Sequence, residues 1–217
     1  MSLFVDGFEL GDVPPWDASF GTPTRVNAPV HSGSWSLETN ANGEALSKSF
    51  AVQTTLYVRW FFRVATLPAA GEELVLGGIY GNVAASPICR LYLRNDAGTQ
   101  VLRLRRTYPA DLGLDYNSAI LADTWYCVEI RFVKNINGAY EVWLEEFQVI
   151  VEDPVDTSAA FDADTFYVGQ LASNYAVINY SDDVEVNTGR ITCVLAGPGV
   201  GGGTHYMIAM NKILLGG

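Results

Sequence analysis

Two pairs of carboxylates, far apart in the sequence, are the clearest candidates for metal chemistry. Asp6 and Glu9 lie in the opening segment, and Asp182 and Asp183 lie in a strand-like segment near the other end. Carboxylate oxygens are ligands that Ca²⁺ prefers, and four of them from two strands would join the ends of the chain. The sequence therefore predicts a structural Ca²⁺ site. In the alternative, Asp182 and Asp183 accept hydrogen bonds from turn amides at a strand start.

Six side chains in turn-rich positions have the chemistry of a sugar-binding site. Aromatic rings pack against the C–H faces of sugars, and amides bond the sugar hydroxyls. The predicted glycan-binding residues are Trp16, Tyr80, Asn82, Tyr108, Tyr116 and Tyr175. The alternative for each tyrosine is a half-buried position, with the ring on the core and only the hydroxyl in water.

The segment Val-Leu-Arg-Leu-Arg-Arg offers a different binding chemistry. Arg103, Arg105 and Arg106 either meet an acidic glycan or a neighbouring subunit, or line a solvated face of a sheet. The chain as a whole is acidic, with 13 Lys and Arg against 24 Asp and Glu and a net charge of -11. Such a field repels phosphate backbones and anionic membranes, so no nucleic-acid partner is expected.

The elements that must position these residues are β-strands. Apolar and polar residues alternate with period two in many short runs, and no stretch holds the helical spacing of apolar residues. In the segment 57–63 this alternation places Val58, Trp60 and Phe62 on one face, which predicts a core-facing side. The predicted strands are 3–9, 34–39, 56–64, 73–80, 88–94, 101–106, 125–133, 140–146, 147–151, 165–169, 177–187 and 205–215.

The length of 217 residues and the hydrophobic fraction of 49% suit one domain, 1–217, with a single large core. The Gly-rich segment 196–203 is interpreted as a flexible tether to a terminal strand at 204–215. That strand pairs with its own sheet or with a neighbouring subunit. No apolar run approaches the length of a membrane span.

The three cysteines, Cys89, Cys127 and Cys193, show neither zinc-ligand nor redox-pair spacing. Free buried thiols are therefore the expected state. A bridge between Cys127 and Cys193 requires that their strands be neighbours.

Four segments carry a resemblance to a known superfamily. They are 4–11 with Trp16 following, His-Ser-Gly-Ser-Trp-Ser-Leu at 31–37, Asp-Thr-Trp-Tyr-Cys-Val-Glu at 123–129 and Tyr-Ser-Asp-Asp-Val-Glu-Val at 180–186. In order and spacing they resemble the concanavalin A-like lectin/glucanase superfamily, in its laminin-G-like bacterial and phage form. The resemblance implies an all-β fold, a two-sheet antiparallel β-sandwich or jelly roll able to hold glycan, and it implies no activity.

The catalytic patterns of this superfamily are not found in the sequence. Its glycosidases use Glu-x-Asp-x-x-Glu, and the nearest substitute, Glu141 with Glu145, is interpreted as a solvated outer face. Its polysaccharide lyases need a His or Tyr base beside Arg or Gln. His31 lies in a turn-rich stretch where a structural hydrogen bond is expected, and His205 lies in no lyase motif. The sequence therefore predicts a protein that is not an enzyme.

These features together predict a virion structural or surface protein, a phage capsid-decoration or tail component whose jelly roll binds glycans. Its partners would be other copies of itself, a capsid or tail protein, or a polysaccharide. The opening Met-Ser-Leu-Phe-Val-Asp-Gly lacks the pattern of a signal peptide, which favours the virion surface over secretion. The alternatives are an extracellular bacterial carbohydrate-binding module and a divergent polysaccharide lyase or glycoside hydrolase.

Overall fold

The computed structural model describes residues 1–10, 15–81, 86–107, 109–171, 173–175 and 177–193. These residues form strands and turns, and among them there is no helix that could cross a membrane. The strands are β1 (Ser2–Asp6), β2 (Ala18–Phe20), β3 (Thr24–Val26), β4 (Ser36–Thr39), β5 (Ala45–Gln53), β6 (Thr55–Val64), β7 (Glu73–Gly81), β8 (Ser86–Asp96), β9 (Thr99–Arg106), β10 (Leu112–Asn117), β11 (Tyr126–Val133), β12 (Gly138–Leu144), β13 (Phe147–Val155), β14 (Ala163–Gly169) and β15 (Asn179–Asn187).

The strands form two sheets that pack face to face. The first sheet has the order β13-β12-β11-β6-β15-β4-β3, with β1 also paired to β15, and the second has the order β10-β9-β8-β7-β14-β5-β2. Neighbouring strands are antiparallel throughout. The prediction of an all-β, two-sheet antiparallel sandwich is confirmed.

Strand β15 joins sequence-distant parts of the first sheet. Along one side it pairs with β6, and along the other side it pairs first with β4 and then with β1. Asp6 lies opposite Val184, and the amino group of Met1 donates to the Asn187 side chain at 3.0 Å. The opening strand and the Asp182-Asp183 strand are therefore neighbours, as a Ca²⁺ site shared between them requires.

The core lies between the sheets and is built from the inward side of each strand. Val58, Trp60 and Phe62 are fully buried, as the alternation predicts. The Trp60 ring packs on Phe166 of the opposite sheet, with ring centroids 5.3 Å apart. Gly77 leaves room for this contact, because a Cβ there would come within 3.1 Å of Trp60 Cζ2.

Every predicted strand that falls on described residues is present, with shifted ends. The opening strand stops at Asp6 because Phe8 has a left-handed backbone, with φ of 60°. Strands β2, β3, β5 and β10 were not predicted: two have three residues, and the other two lack a clear apolar alternation. The predicted tether 196–203 and terminal strand 204–215 lie outside the described residues.

The expectation of three free thiols is wrong. Cys127 on β11 and Cys193 after β15 form a disulfide, with Cα atoms 6.0 Å apart, and Cys89 is free and buried. The spacing of the cysteines could not show this pairing, because the two residues are 66 positions apart and meet only on the folded sheet.

A buried ion pair closes the gap between the sheets beside β10 and β13. Arg106 turns inward from β9, and its Nη2 donates to Glu152 Oε1 of β13 at 2.7 Å. Arg106 is 6% exposed, and its Nη1 also donates to the carbonyl of Ala110. The expectation that Arg106 meets a ligand or lies on a solvated face is therefore wrong, because its guanidinium is used inside the fold.

We predict that Arg106→Ala lowers the free energy of unfolding by about 2–4 kcal/mol, since Glu152 would keep a half-buried charge without its partner. Urea unfolding measures this loss. In the control Arg105→Ala the exposed pair with Asp111 is removed, and the loss should stay below about 1 kcal/mol. Equal losses in the two variants would show that the buried pair does not stabilise the sandwich edge.

Candidate functional site

The outer face of the second sheet carries the largest group of arginines and tyrosines that the described strands bring together. Strand pairing aligns Tyr167, Gly78, Arg90 and Arg105 in one row across β14, β7, β8 and β9. The side chains of this group project from the side of the sheet that faces away from the core. We call them the arginine–tyrosine face: Tyr80, Arg90, Tyr92, Arg94, Arg103, Arg105 and Tyr167.

Three of the four arginines of this face have carboxylate partners within the sheet. Arg103 makes a bidentate pair with Asp115, and Arg105 makes one with Asp111. Arg94 lies 3.4 Å from Glu73 through Nη1. These contacts lower the pKa of Asp115 and Asp111, through hydrogen bonds from Arg103 and Arg105 respectively.

Arg90 differs from the other three. It lies in the middle of the face and is partly exposed, and none of the carboxylates in the described parts of the chain lies within ion-pair distance of it. Its side chain and the Tyr80 ring lie over Gly78, where a Cβ would come within 2.8 Å of Arg90 Cγ. The glycine therefore provides the room in which Arg90 and Tyr80 sit side by side.

An aromatic series runs from Arg90 to the β2 edge of the sheet. The Tyr80 and Tyr167 rings are 4.5 Å apart, and Phe20 follows 5.4 Å beyond Tyr167. Phe20 is 37% exposed and is the ring of this series that solvent reaches best. Burial raises the pKa of Tyr80 to about 12 and also raises that of Tyr167, so both phenols keep their protons at neutral pH.

The structure places the predicted glycan-binding residues in different regions. Tyr80 lies on the arginine–tyrosine face, Tyr116 packs its ring against the core from β10, and Tyr175 is half-buried in the connection before β15. Trp16 is 8% exposed, stacked on Phe8, so the expectation of an exposed ring there is wrong. The remaining two, Asn82 and Tyr108, lie outside the described residues.

The four predicted Ca²⁺ ligands are adjacent in the fold, but each already has protein donors. Asp6 accepts from the Trp16 indole at 2.6 Å, and Glu9 accepts from the amides of residues 34 and 35. Asp182 accepts from the amides of His31, Ser32 and Asp183. Within the described ranges no group of three or more metal-ligating side chains is formed. The Ca²⁺ site stays a prediction.

The Asp182-Asp183 pair anchors the 31–32 turn. Asp183 accepts from His31 Nδ1 at 2.7 Å and from the Ser32 hydroxyl at 2.8 Å. Burial and the charge of Asp183 raise the pKa of Asp182, whereas the bonds from His31 and Ser32 lower that of Asp183. His31 also stacks on Phe61, with centroids 3.5 Å apart. The expected structural role of His31 agrees with these contacts.

The outer face of the first sheet is crossed by residues 188–193, which we call the strap. Ile191 N donates to Glu129 Oε2 at 2.6 Å, Arg190 lies over the Trp143 ring at 4.8 Å, and Cys193 is bonded to Cys127. The cover buries Glu129 to 1% exposure. Elsewhere on this face Glu141 is 5% exposed and pairs with Arg131, which corrects the expectation that it is solvated.

No family model matches the chain. No curated protein matches it either. Solved structures do match, and one is an endo-beta-1,4-glucuronan lyase from the fungus Trichoderma reesei, with a TM-score of 0.65, 16% identity and coverage of 87% of this chain and 96% of that chain. The cellulose induced protein Cip1 has a TM-score of 0.64 at 18% identity, covering 88% of this chain and 99% of that one. An alginate lyase has a TM-score of 0.57 at 13% identity, covering 71% and 81%.

Identities this low show the fold alone. The shared β-sandwich agrees with the concanavalin A-like resemblance, and the names of these neighbours give its phage form no support.

The buried carboxyl of Glu129 predicts a dependence of stability on pH. Burial raises its pKa to about 7, with Ile191 N and the charges of Arg190 and Arg59 acting against the shift and Glu146 adding to it. The folded state therefore binds a proton that the unfolded chain has lost, so this contribution to stability is present below the pKa of free glutamate and is lost as the pH rises through 7.

We expect the free energy of unfolding to fall by about 1 kcal/mol from pH 6 to pH 8 in the wild type relative to Glu129→Gln, as a pKa of about 7 requires. Urea titrations at the two pH values measure the difference. The same pH slope in both proteins would contradict this assignment.

Proposed function

We propose that this protein binds an acidic polysaccharide, a polymer bearing uronate carboxylates, on the arginine–tyrosine face. The observation that carries the proposal is Arg90, a partly exposed guanidinium in the middle of that face with no carboxylate within ion-pair distance among the described residues. Four of the 13 basic residues of the chain share this face, and three of them are paired there with Glu73, Asp115 and Asp111, which leaves Arg90 for a ligand.

The guanidinium fork matches a carboxylate in a bidentate geometry, which gives both affinity and orientation. Arg90 supplies such a fork, and Arg105 lies beside it with its own charge paired to Asp111. Tyr80 is 6% exposed and lies beside the Arg90 side chain over Gly78, so its ring flanks the guanidinium stem. Phe20 offers an exposed ring at the β2 edge, against which a sugar C–H face can pack.

The names of two solved neighbours support a polyuronate as the class of ligand. Two of them are named as lyases of glucuronan and alginate, and both of these polymers consist of uronic acids. The third is named only as a cellulose induced protein. A polyuronate is therefore the polymer to test first, with a neutral glucan as the comparison.

A second candidate function is cleavage of such a polymer by β-elimination, the reaction of a lyase. The adjacency of Tyr80 and Arg90 favours this function. A lyase needs one group to neutralise the uronate and another to remove the proton beside it. Arg90 suits the first task, but burial raises the pKa of Tyr80 to about 12 and disfavours the phenolate. Binding without turnover is therefore the function that the geometry supports better.

We predict that the wild type binds polyglucuronate or alginate and that Arg90→Ala weakens this binding at least about tenfold, because a charge-assisted bidentate pair is lost. Calorimetry at two salt concentrations measures affinity and its ionic part. Arg63→Ala is the matched control, since Arg63 lies on the first sheet and pairs with exposed Asp123. Equal weakening in both variants, or no binding by the wild type, would contradict the proposal. Release of unsaturated uronate ends would instead identify a lyase.

The location on a virion surface, with copies of the chain or a capsid or tail protein as partners, remains a proposal. The Cys127–Cys193 disulfide supports a place outside a reducing cytosol, which the virion surface and the extracellular alternative share. If the chain is a coat component, electron microscopy of the purified protein should show a lattice, ring or filament. A monomer at all concentrations would favour the binding-module alternative.

A further inference from the structure

We propose that the Cys127–Cys193 disulfide makes the strap a redox-controlled cover of the first sheet: reduction releases residues 188–193 and exposes the surface beneath them. This inference does not depend on the proposed glycan binding. The strap lies on the outer face of the first sheet, whereas the arginine–tyrosine face belongs to the second.

Four consecutive residues of the strap are attached to the first sheet. Arg190 lies 3.5 Å from Glu129 and 3.3 Å from Glu146. The Ile191 amide donates to Glu129 at 2.6 Å, and the Thr192 carbonyl lies 3.5 Å from Arg59 Nη1. Cys193 ends the series with the covalent bond to Cys127. The strap is therefore held at every position from 190 to 193.

The strap covers side chains of the first sheet that would be exposed on a solvated sheet face. Phe61, Cys127 and Cys193 form a small cluster separate from the core, with Trp125 packed against it. Phe61 is 3% exposed, and Glu129 beside it on the next strand is 1% exposed. Without the strap this region would present the Glu129 carboxyl group to water, while the Phe61 ring would stay stacked under His31.

The disulfide contributes most to holding the strap on the sheet, because the other contacts of the strap are weak. The Arg190 side chain is 43% exposed, so its ion pairs are screened by solvent. The Arg59 contact with Thr192 is at the outer limit of a hydrogen bond. Only the bond from Ile191 to Glu129 is short and buried. Thr188 and Gly189 are bonded to Met1 and Asn187 at the end of β15. For the segment 190–193, one short bond does not offset the conformational entropy lost on ordering the chain, and the disulfide lowers that entropic cost by closing the chain.

Of the three cysteines, only Cys127 and Cys193 take part in the redox step. A thiolate of an added dithiol attacks the sulfur of Cys193, the more exposed partner at 6%, and Cys127 leaves as a thiolate; the second thiol then resolves the mixed disulfide and releases Cys193. The dithiol gives up two electrons and becomes a cyclic disulfide, while Cys127 and Cys193 each end with a proton as thiols. Cys89 takes no part, because full burial raises its pKa to about 12 and keeps it as an inert thiol.

The test is hydrogen exchange, followed by mass spectrometry, on the full chain with and without dithiothreitol. The amide of Ile191 is the reporter, because it is hydrogen-bonded to Glu129 while the strap is in place. We expect exchange in the strap to accelerate at least about tenfold on reduction, as local opening predicts, with β6 and β11 unchanged. Cys193→Ser without reductant should behave like the reduced protein, and Cys89→Ser should behave like the oxidised wild type.

Two results would overturn the proposal. Unchanged exchange at Ile191 after complete reduction would show that the non-covalent contacts hold the strap by themselves. Faster exchange throughout β6 and β11 would show that the disulfide holds the whole sheet together, which makes it a structural bond and not the control of a cover.

Discussion

The contact between Trp60 and Phe166 across the core determines which side chains the two outer faces display. Trp60 fills the space left by Gly77, and its ring meets Phe166 at 5.3 Å. Because side chains alternate along a strand, an inward Phe166 makes Tyr167 face outward, and an inward Gly77 does the same for Gly78. A slip by one residue in either strand would bury the outward residues and expose the core, so this packing also fixes the candidate site.

Alternation in the sequence was enough to predict the fold and the inward side of β6, since Val58, Trp60 and Phe62 follow it strictly. The same alternation separates Arg106 from Arg103 and Arg105, and the shared role predicted for the three arginines overlooked it. It could not show that Arg106 would find Glu152, because that pairing depends on where two sheets meet at their edge. For the same reason the importance of Arg90 was missed, since the lack of a carboxylate partner among the described residues is recognised only after its neighbours are known.

Burial was the property that local sequence predicted least well. Trp16 lies in a connection, yet its ring stacks on Phe8 and its indole bonds Asp6, because the opening segment folds back over the sandwich edge. Glu129 is a second case. Alternation places it on the outward face, and the strap, which is distant in sequence, buries it. Both cases depend on contacts between residues that are distant in sequence.

The attachment of Cys193 to the outer face of the first sheet also gives the domain a direction. Met1 is bonded to Asn187 of the same sheet, so the amino end and the last described residue are both held on the side opposite the arginine–tyrosine face. A carrier or a solid support joined to either point would leave the second sheet turned toward the surroundings. The two outer faces thus differ: the first sheet holds Met1 and Cys193, and the second carries the arginine–tyrosine face.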